Sequence, residues 1–343
     1  MRYSDLKTVI TSQFKQPDGN KVSYLIKGPP GGGKSALCRD IVQSMGGNDG
    51  NTVEFNGSTR DPVDILGTPN NNGEFTRWVP PAEFYKLRAG RDGDARGEPC
   101  FLILEEATDC SMPMQNALCR IVLDNHAGDV KLSPYLFILG SGNRTEDKSG
   151  ANRLSTKLGN RMRQHTLDAN LEDWVQWAQE HDIDPVLIQY ERFIPAALFD
   201  FDPNRPDGIN ATPRSWESVS RIDPTLAGHL YFAEVAGSVG EGRAAEYVAF
   251  RKVYFNLVSL EDVIMNPTGV PIPEALDALF ATVGCCAHGV TLGNVDRIAT
   301  FIDRLSKDFS TMFWMDARKK DPKIKASKAF ISWAMSSGNS ILN

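Results

Sequence analysis

Short apolar, β-rich runs punctuate the first half of the chain: VSYLIK (22–27), NTVEFNG (51–57), CFLILEEA (100–107) and YLFILGSGN (135–143). They read as buried strands. Between them the spacing becomes helical: Leu37, Ile41 and Met45 recur every fourth residue, and Ala117, Leu118, Ile121 and Val122 form a second stripe. Strands alternating with helices predict an α/β fold whose mostly parallel sheet is covered on both faces.

After about residue 168 the strand signal fades. LEDWVQWAQEH places Leu171, Trp174, Val175 and Ala178 on one helical face. A Pro- and Asp-rich joint, FDFDPNRPDGINATP (199–213), follows, and Thr212 with Pro213 reads as an N-cap and first helical residue. Further helices are predicted over RAAEYVAFRKVYFNLV and over NVDRIATFIDRLSKDFSTMFW, where Ile298, Phe301, Ile302, Leu305 and Phe309 make one core stripe.

With 343 residues the chain has length for about two domains. A net charge of −6 with interspersed signs argues against a coat for nucleic acid or anionic membrane. No apolar run reaches the roughly 18 residues needed to span a bilayer, and MRYSDLKTVI lacks signal-peptide anatomy, so a cytoplasmic protein is expected. The six cysteines never form a C-x-x-C pair and read as buried thiols. Cys285, Cys286 and His288 in GCCAHG do not suit one tetrahedral metal site, because adjacent cysteines fit it poorly and no second ligand pair follows. The basic run RKKDPKIKASK (318–328) reads as a solvated face, and Phe313, Trp314, Phe330 and Trp333 as core.

One stretch carries chemistry. In IKGPPGGGKSAL, Gly28, Gly33, Lys34 and Ser35 satisfy G-x-x-x-x-G-K-[ST] between a strand and an amphipathic helix. By chance the pattern arises in about one chain of this length in a hundred. A flexible joint would explain the glycines but not the Lys and Ser after them. Glycines let backbone N–H groups turn inward around a phosphate, and the following helix adds its positive dipole end. The loop Gly28, Pro29, Pro30, Gly31, Gly32, Gly33, Lys34, Ser35 and Ala36 is thus the candidate binding site for ATP with Mg²⁺: Lys34 would contact the β- and γ-phosphates and Ser35 the metal.

FLILEEA supplies Glu105 and Glu106 at a strand end. Adjacent strand residues point to opposite sides, so one carboxylate can serve the Mg²⁺ shell while the other reaches an attacking water; alone, a solvated strand end would explain them as well. Asn143, ending the next strand, could orient that water or be ordinary turn chemistry.

Together GPPGGGKS, LILEE, GSGNR, LGNRMRQH and TPRSWESVSR resemble the P-loop, Walker B strand, sensor 1, arginine finger and sensor 2 of an AAA+ ATPase, and within that group the chain most resembles the MoxR type, especially its compact bacterial and bacteriophage relatives. RDPVDILGTP with GEFTRWVPPAEFYKL is similar to that family's insertion after the second strand, and DNHAGDVKLSPYLFILGSGN to its hairpin before sensor 1. The resemblance covers roughly residues 20 to 260.

It implies a P-loop αβα sandwich at 1–168, an α-helical lid with sensor 2 at 169–265, and a C-terminal helical extension at 266–343. It implies Glu105 as the Mg²⁺-associated acid where the family usually has Asp, Glu106 as catalytic base, Asn143 as sensor 1, Arg161 as a finger reaching a neighbouring subunit's γ-phosphate, and Arg214 as sensor 2. Arg163 is a rival finger. A finger in trans implies an oligomer, and family members are typically hexameric rings that remodel or assemble a partner, commonly one with a von Willebrand factor A domain. A nucleic-acid motor or loader and a nucleotide-gated scaffold with little turnover are the alternatives; the acidic balance disfavours nucleic acid, and Glu105 motivates the scaffold.

Overall fold

The computed structural model describes residues 1–71, 75–147, 152, 154–205, 208–256 and 259–338. Contacts divide the chain into two units, Met1–Asn170 with Asp202–Pro206, and Leu171–Phe201 with Asp207–Asn343.

In the first unit, β1 (Ser23–Lys27), β2 (Thr52–Asn56), β3 (Cys100–Glu105), β4 (Leu136–Gly142) and β5 (Met162–Thr166) form one sheet in the order β2-β3-β4-β1-β5. Every pairing in it is parallel. The four predicted strands are present; β5 was not predicted. Its sequence MRQHT buries only Met162, the pattern of a polar edge strand, so no apolar run announces it.

Both faces are covered, and the alternation within strands shows how. Leu25 of β1, Leu102 and Leu104 of β3 and Ile138 of β4 pack with Met114, Ala117, Leu118 and Ile121 of α3 (Met112–Asp124). Tyr24, Ile26, Phe101, Ile103 and Leu139, their neighbours along the same strands, face α1 (Tyr3–Phe14) and α2 (Lys34–Ser44) through Leu6, Ile10, Leu37 and Ile41. A period of two along buried strands, matched to apolar helix stripes on either side, fixes the register. Ser111 caps α3 by accepting from Met114 N, and Asn125 ends it in the left-handed region. Antiparallel pairs lie at Thr68–Asn71 with Thr76–Val79, and at His126–Ala127 with Val130–Lys131; the sequence resemblance assigned an insertion to the first region and a hairpin to the second.

The second unit is helical: α4 (Leu171–Glu180), α5 (Pro185–Phe193), α6 (Pro213–Val219), α7 (Gly228–Val239), α8 (Glu241–Asn256), α9 (Leu260–Met265), α10 (Leu276–Gly289), α11 (Val295–Ile302), α12 (Lys307–Lys320) and α13 (Lys328–Trp333). Thr212 caps α6 in a capping box, with Ser215 Oγ accepting from Thr212 N at 2.7 Å and Pro213 opening the helix. The predicted 294–314 helix is instead two, α11 and α12. Arg304 donates to Pro267 O and Val270 O at 2.7 and 2.8 Å, and Ser306 is extended at the start of α12, so the chain turns between them. The core stripe survives the break: Ile298, Phe301 and Ile302 are fully buried, and Leu305 and Phe309 pack against them. Phe313, Trp314, Phe330 and Trp333 belong to the same core. Within the predicted 243–258 helix, residues 257–258 lie outside the described ones.

Among the described residues no helix is long and apolar enough to cross a membrane.

Candidate functional site

The carboxyl ends of the central strands converge on one rim. Lys27 pairs with Gly142 and with Thr166, and Asn56 with Glu105. The glycine-rich segment leaves this rim from β1, tied down by Gly28 N donating to Gly142 O at 3.2 Å.

Its glycines have separate reasons. A Cβ on Gly28 would lie 2.9 Å from Leu167 O, and one on Gly32 3.2 Å from Pro29 O. Gly31 and Gly33 have φ of 72° and 90°, where a side chain is strained. Gly32, the position the motif leaves open, is therefore confined by the Pro29 carbonyl. Gly33 N-caps α2 without a side-chain cap, so first-turn N–H groups at the end of an 11-residue helix are left for an anion.

Lys34 Nζ donates to Gly28 O (2.9 Å), Pro29 O (2.8 Å) and Asn143 Oδ1 (2.9 Å). Ser35 Oγ donates to Glu105 Oε2 at 2.6 Å, and Ser141 Oγ donates to the same oxygen. Glu105 is 12 % exposed, with Arg39 Nη2 3.6 Å from its other oxygen. The sequence motif thus meets its two partners by geometry: the lysine touches the β4 amide and the serine touches the β3 carboxylate.

Glu105 and Glu106 have different partners. β3 ends at Glu105, and Glu106 takes a left-handed φ of 53°. Such a conformation costs a non-glycine residue about 1–2 kcal/mol and persists where surroundings enforce it. Its exposed carboxylate accepts from Asn56 Nδ2 at 3.2 Å and from Ser58 Oγ, just beyond β2.

Asn143 is held from three sides. Its N–H donates to Thr108 Oγ1 at 2.7 Å, its Nδ2 to Asp109 Oδ2 at 2.8 Å, and its oxygen faces Lys34. Asn56, Ser58, Thr108, Asp109 and Ser141 are site residues that the sequence reading did not single out. They are small polar residues at strand ends, where ordinary turn chemistry uses the same types.

Arg161 follows the helical turn Thr156–Gly159 and immediately precedes β5; it is exposed and donates to Lys157 O at 2.9 Å. Because Met162 pairs with Ser23, Arg161 lies at the amino end of the sheet, away from its own loop. Arg163 instead donates to Gln13 Oε1 and Tyr24 OH, with its guanidinium over the Tyr24 ring. Arg214 is exposed in the first turn of α6 and belongs to the second unit. Cys38, within α2, is fully buried; burial and the nearby Glu105 push its thiol up, so it offers no thiolate. Among the described residues no three His, Cys, Asp or Glu side chains converge as a metal site, and Cys286 is a buried thiol pushed up to about 12 by burial.

The donors present fit a nucleotide triphosphate with its metal. A Cβ at Gly28 would clash and Gly31 and Gly33 hold a left-handed φ, the first turn of α2 has no side-chain cap, the Lys34 ammonium lies at the same loop, and the hydroxyl and carboxylate that would share a divalent cation are already in contact.

This architecture is an α/β P-loop NTPase fold followed by a helical C-terminal part. No family model and no curated protein matches the chain. Among solved structures it is similar to NtrX from Brucella abortus, at 17% identity over 91% of this chain and 67% of that one, with a TM-score of 0.41. It is also similar to a DNA polymerase III gamma subunit-related protein from Thermotoga maritima (12% identity, 97% and 98% covered, TM-score 0.40) and to a point mutant of Thermotoga maritima RuvB (14%, 82% and 82%, TM-score 0.40).

Proposed function

We propose that the chain is an AAA+ ATPase of the MoxR type, which couples ATP binding and hydrolysis in an oligomeric ring to the remodelling or assembly of a partner protein. The observation that carries this reading is the double contact Lys34–Asn143 and Ser35–Glu105, which joins the glycine loop to the ends of β4 and β3. In it Gly28 to Ala36 bind the phosphates, Lys34 neutralises the β- and γ-oxygens, and Ser35 with Glu105 holds Mg²⁺. When bound there, the cation would supply positive charge against the phosphates, with Ser35 and Glu105 as the residues that would hold it.

Glu106 is the base in this reading. It must leave Asn56 and Ser58 to reach a water near the γ-phosphate, while Asn143, fixed by Thr108 and Asp109, orients that water. Arg161, at the wrong end of the sheet for its own loop, is the finger offered to a neighbouring subunit, and Arg214 serves as sensor 2 from a lid spanning 169–265. Residues 1–168 form the nucleotide domain and 266–343 an extension. A hexameric ring and a partner with a von Willebrand factor A domain follow from the family resemblance.

An ATPase assay on Lys34→Ala, Glu106→Gln and Arg161→Ala tests the proposal: each should lose most turnover, and wild-type hydrolysis in all three would refute it. A second reading, a nucleotide-gated scaffold, is favoured by the engagement of Glu106 with Asn56 and Ser58; tight ATP binding and ring formation without phosphate release would establish it instead.

A further inference from the structure

The turn that follows β3 is stapled to its surroundings by main-chain bonds. Ala107 N donates to Ser141 O of β4, Asp109 N to Glu106 O, and Asn152 N to Thr108 O, each at 2.8 Å. The same turn that carries Glu106 thus brings Thr108 and Asp109 under Asn143, the residue after β4.

There, three hydrogen bonds close a ring. Asn143 N–H donates to Thr108 Oγ1 at 2.7 Å, the hydroxyl donates onward to Asp109 Oδ1 at 2.9 Å, and Asn143 Nδ2 donates to Asp109 Oδ2 at 2.8 Å. Thr108 is buried, and its one hydroxyl hydrogen is committed to the acid. Both carboxylate oxygens of Asp109 are engaged in holding one residue.

The polarity of the Asn143 amide follows from partners that cannot exchange roles. A carboxylate only accepts and an ammonium only donates. Asp109 therefore takes the amide nitrogen, and Lys34 Nζ, 2.9 Å away, takes the oxygen. Turning the amide over would set oxygen against carboxylate and nitrogen against ammonium, two repulsive contacts in place of two charge-assisted bonds. Phosphate oxygens are acceptors as well, so an amide locked this way offers them nothing. Its oxygen can serve only a donor, either Lys34 or the O–H of a water.

We infer that Asp109 is a positioning residue of the proposed ATPase: it locks Asn143 with the amide oxygen toward the glycine loop, so that Asn143 accepts from the attacking water and makes no bond to the terminal phosphate. This assignment rests on the ATPase reading and adds to it a direction for one hydrogen bond. It also means that Asn143 contributes nothing to a preference for ATP over ADP.

Exchanging the amide and the acid tests this. In Asp109→Asn the Thr108 hydroxyl holds the new side-chain oxygen, which turns the new N–H2 toward Asn143 and makes that amide reverse. The turnover number should fall at least about tenfold through the misplaced water. Affinity for ATPγS relative to ADP, measured by isothermal titration with Mg²⁺, should rise several-fold, because the reversed amide donates to the terminal phosphate. Asn143→Asp alone sets two carboxylates face to face and should also lose turnover. The double variant, Asp109→Asn with Asn143→Asp, restores an acceptor aimed at the loop. It should turn over at least about fivefold faster than Asp109→Asn, with the ATPγS preference back at the wild-type value or below.

An acid that merely ties the turn together would leave the affinity ratio of Asp109→Asn unmoved and the double variant no faster than that single variant. Either result overturns the inference, as does wild-type turnover in Asp109→Asn. A wild-type chain that binds both nucleotides without hydrolysing ATP would refute the ATPase reading instead, and the affinity ratios would still decide the direction of the amide.

Discussion

Met162 pairs in parallel with Ser23, the first residue of β1, whereas the phosphate-loop candidate departs after Lys27, the last. Four residues of strand separate the two levels by about 13 Å. Arg161, one residue before Met162, therefore faces away from the loop of its own chain.

This separation makes a mixing experiment decisive. Lys34→Ala and Arg161→Ala should each be inactive alone. Co-assembled in equal amounts they should recover roughly a quarter of wild-type turnover, because a heterologous ring pairs an intact loop with an intact neighbouring arginine in about one interface in four. No recovery in mixed rings of verified composition would mean Arg161 does not act across an interface.

Glu106→Gln should retain ATP binding while turnover falls by about 10²–10³-fold, the loss expected when a positioned base is removed. Replacing its two donors, Asn56→Ala with Ser58→Ala, should raise basal turnover, since the carboxylate no longer has to exchange partners before reaching water. A drop in kcat at constant KM in that double variant would show that they aim Glu106 rather than restrain it.

Glu105→Asp restores the residue usual in the resembled family, yet this site is built around the longer side chain, whose Oε2 receives both Ser35 and Ser141. Shortening it by one methylene should break the 2.6 Å contact with Ser35. The expected result is a several-fold rise in the Mg²⁺ concentration for half-maximal activity. An unchanged Mg²⁺ titration would place the cation elsewhere.

Much of this arrangement was legible from sequence, and the boundary of legibility is physical. Buried central strands announce themselves because both their faces are apolar, and the glycine loop because its residue types are chemically irreplaceable. β5 escaped since an edge strand with one buried residue looks like coil. The break between α11 and α12 escaped because the apolar stripe runs through it while the cause, Arg304 on distant carbonyls, is tertiary. Asn56, Ser58 and Asp109 acquire meaning only when parallel pairing brings three strand ends together. Arg161 and Arg163 were indistinguishable by spacing, and their environments differ only in the folded chain.

Gly142→Ala should be disproportionately harmful for one methyl group. A Cβ there would meet Thr108 Cγ2 and Oγ1 at 2.6 and 2.7 Å, and Thr108 is buried. Overpacking of this kind costs about 1–3 kcal/mol, so the melting temperature should fall by several degrees. Turnover should fall further than stability alone explains, because Thr108 also fixes Asn143. Near-wild-type turnover in the folded variant would detach Asn143 from the chemistry.

In the second unit, Glu191 is fully buried with neither carboxylate oxygen hydrogen-bonded, and burial holds its carboxyl well above the usual range, opposed by Arg243. Unfolded, the group titrates near about 4.3. The native state therefore keeps its proton where the unfolded state has lost it, and stability should decline as pH rises from there toward the folded pKa. Glu191→Gln should flatten that decline, so its melting temperature should gain on wild type between about pH 5 and pH 8. Parallel curves for the two proteins would show that Glu191 does not titrate in this window.

Lys34 already has three hydrogen-bond acceptors, two carbonyls of its own loop and the oxygen of Asn143. An arriving phosphate must take at least one of these bonds for itself, so occupancy is felt as a change of partner rather than the filling of a gap. Where the bond given up is the one to Asn143, the amide keeps its hold on Asp109 and Thr108 and its oxygen is free to accept from another donor. In the proposed ATPase the end of β4 would then register an occupied loop before any bond is broken, and affinity would be moderated by the contacts given up.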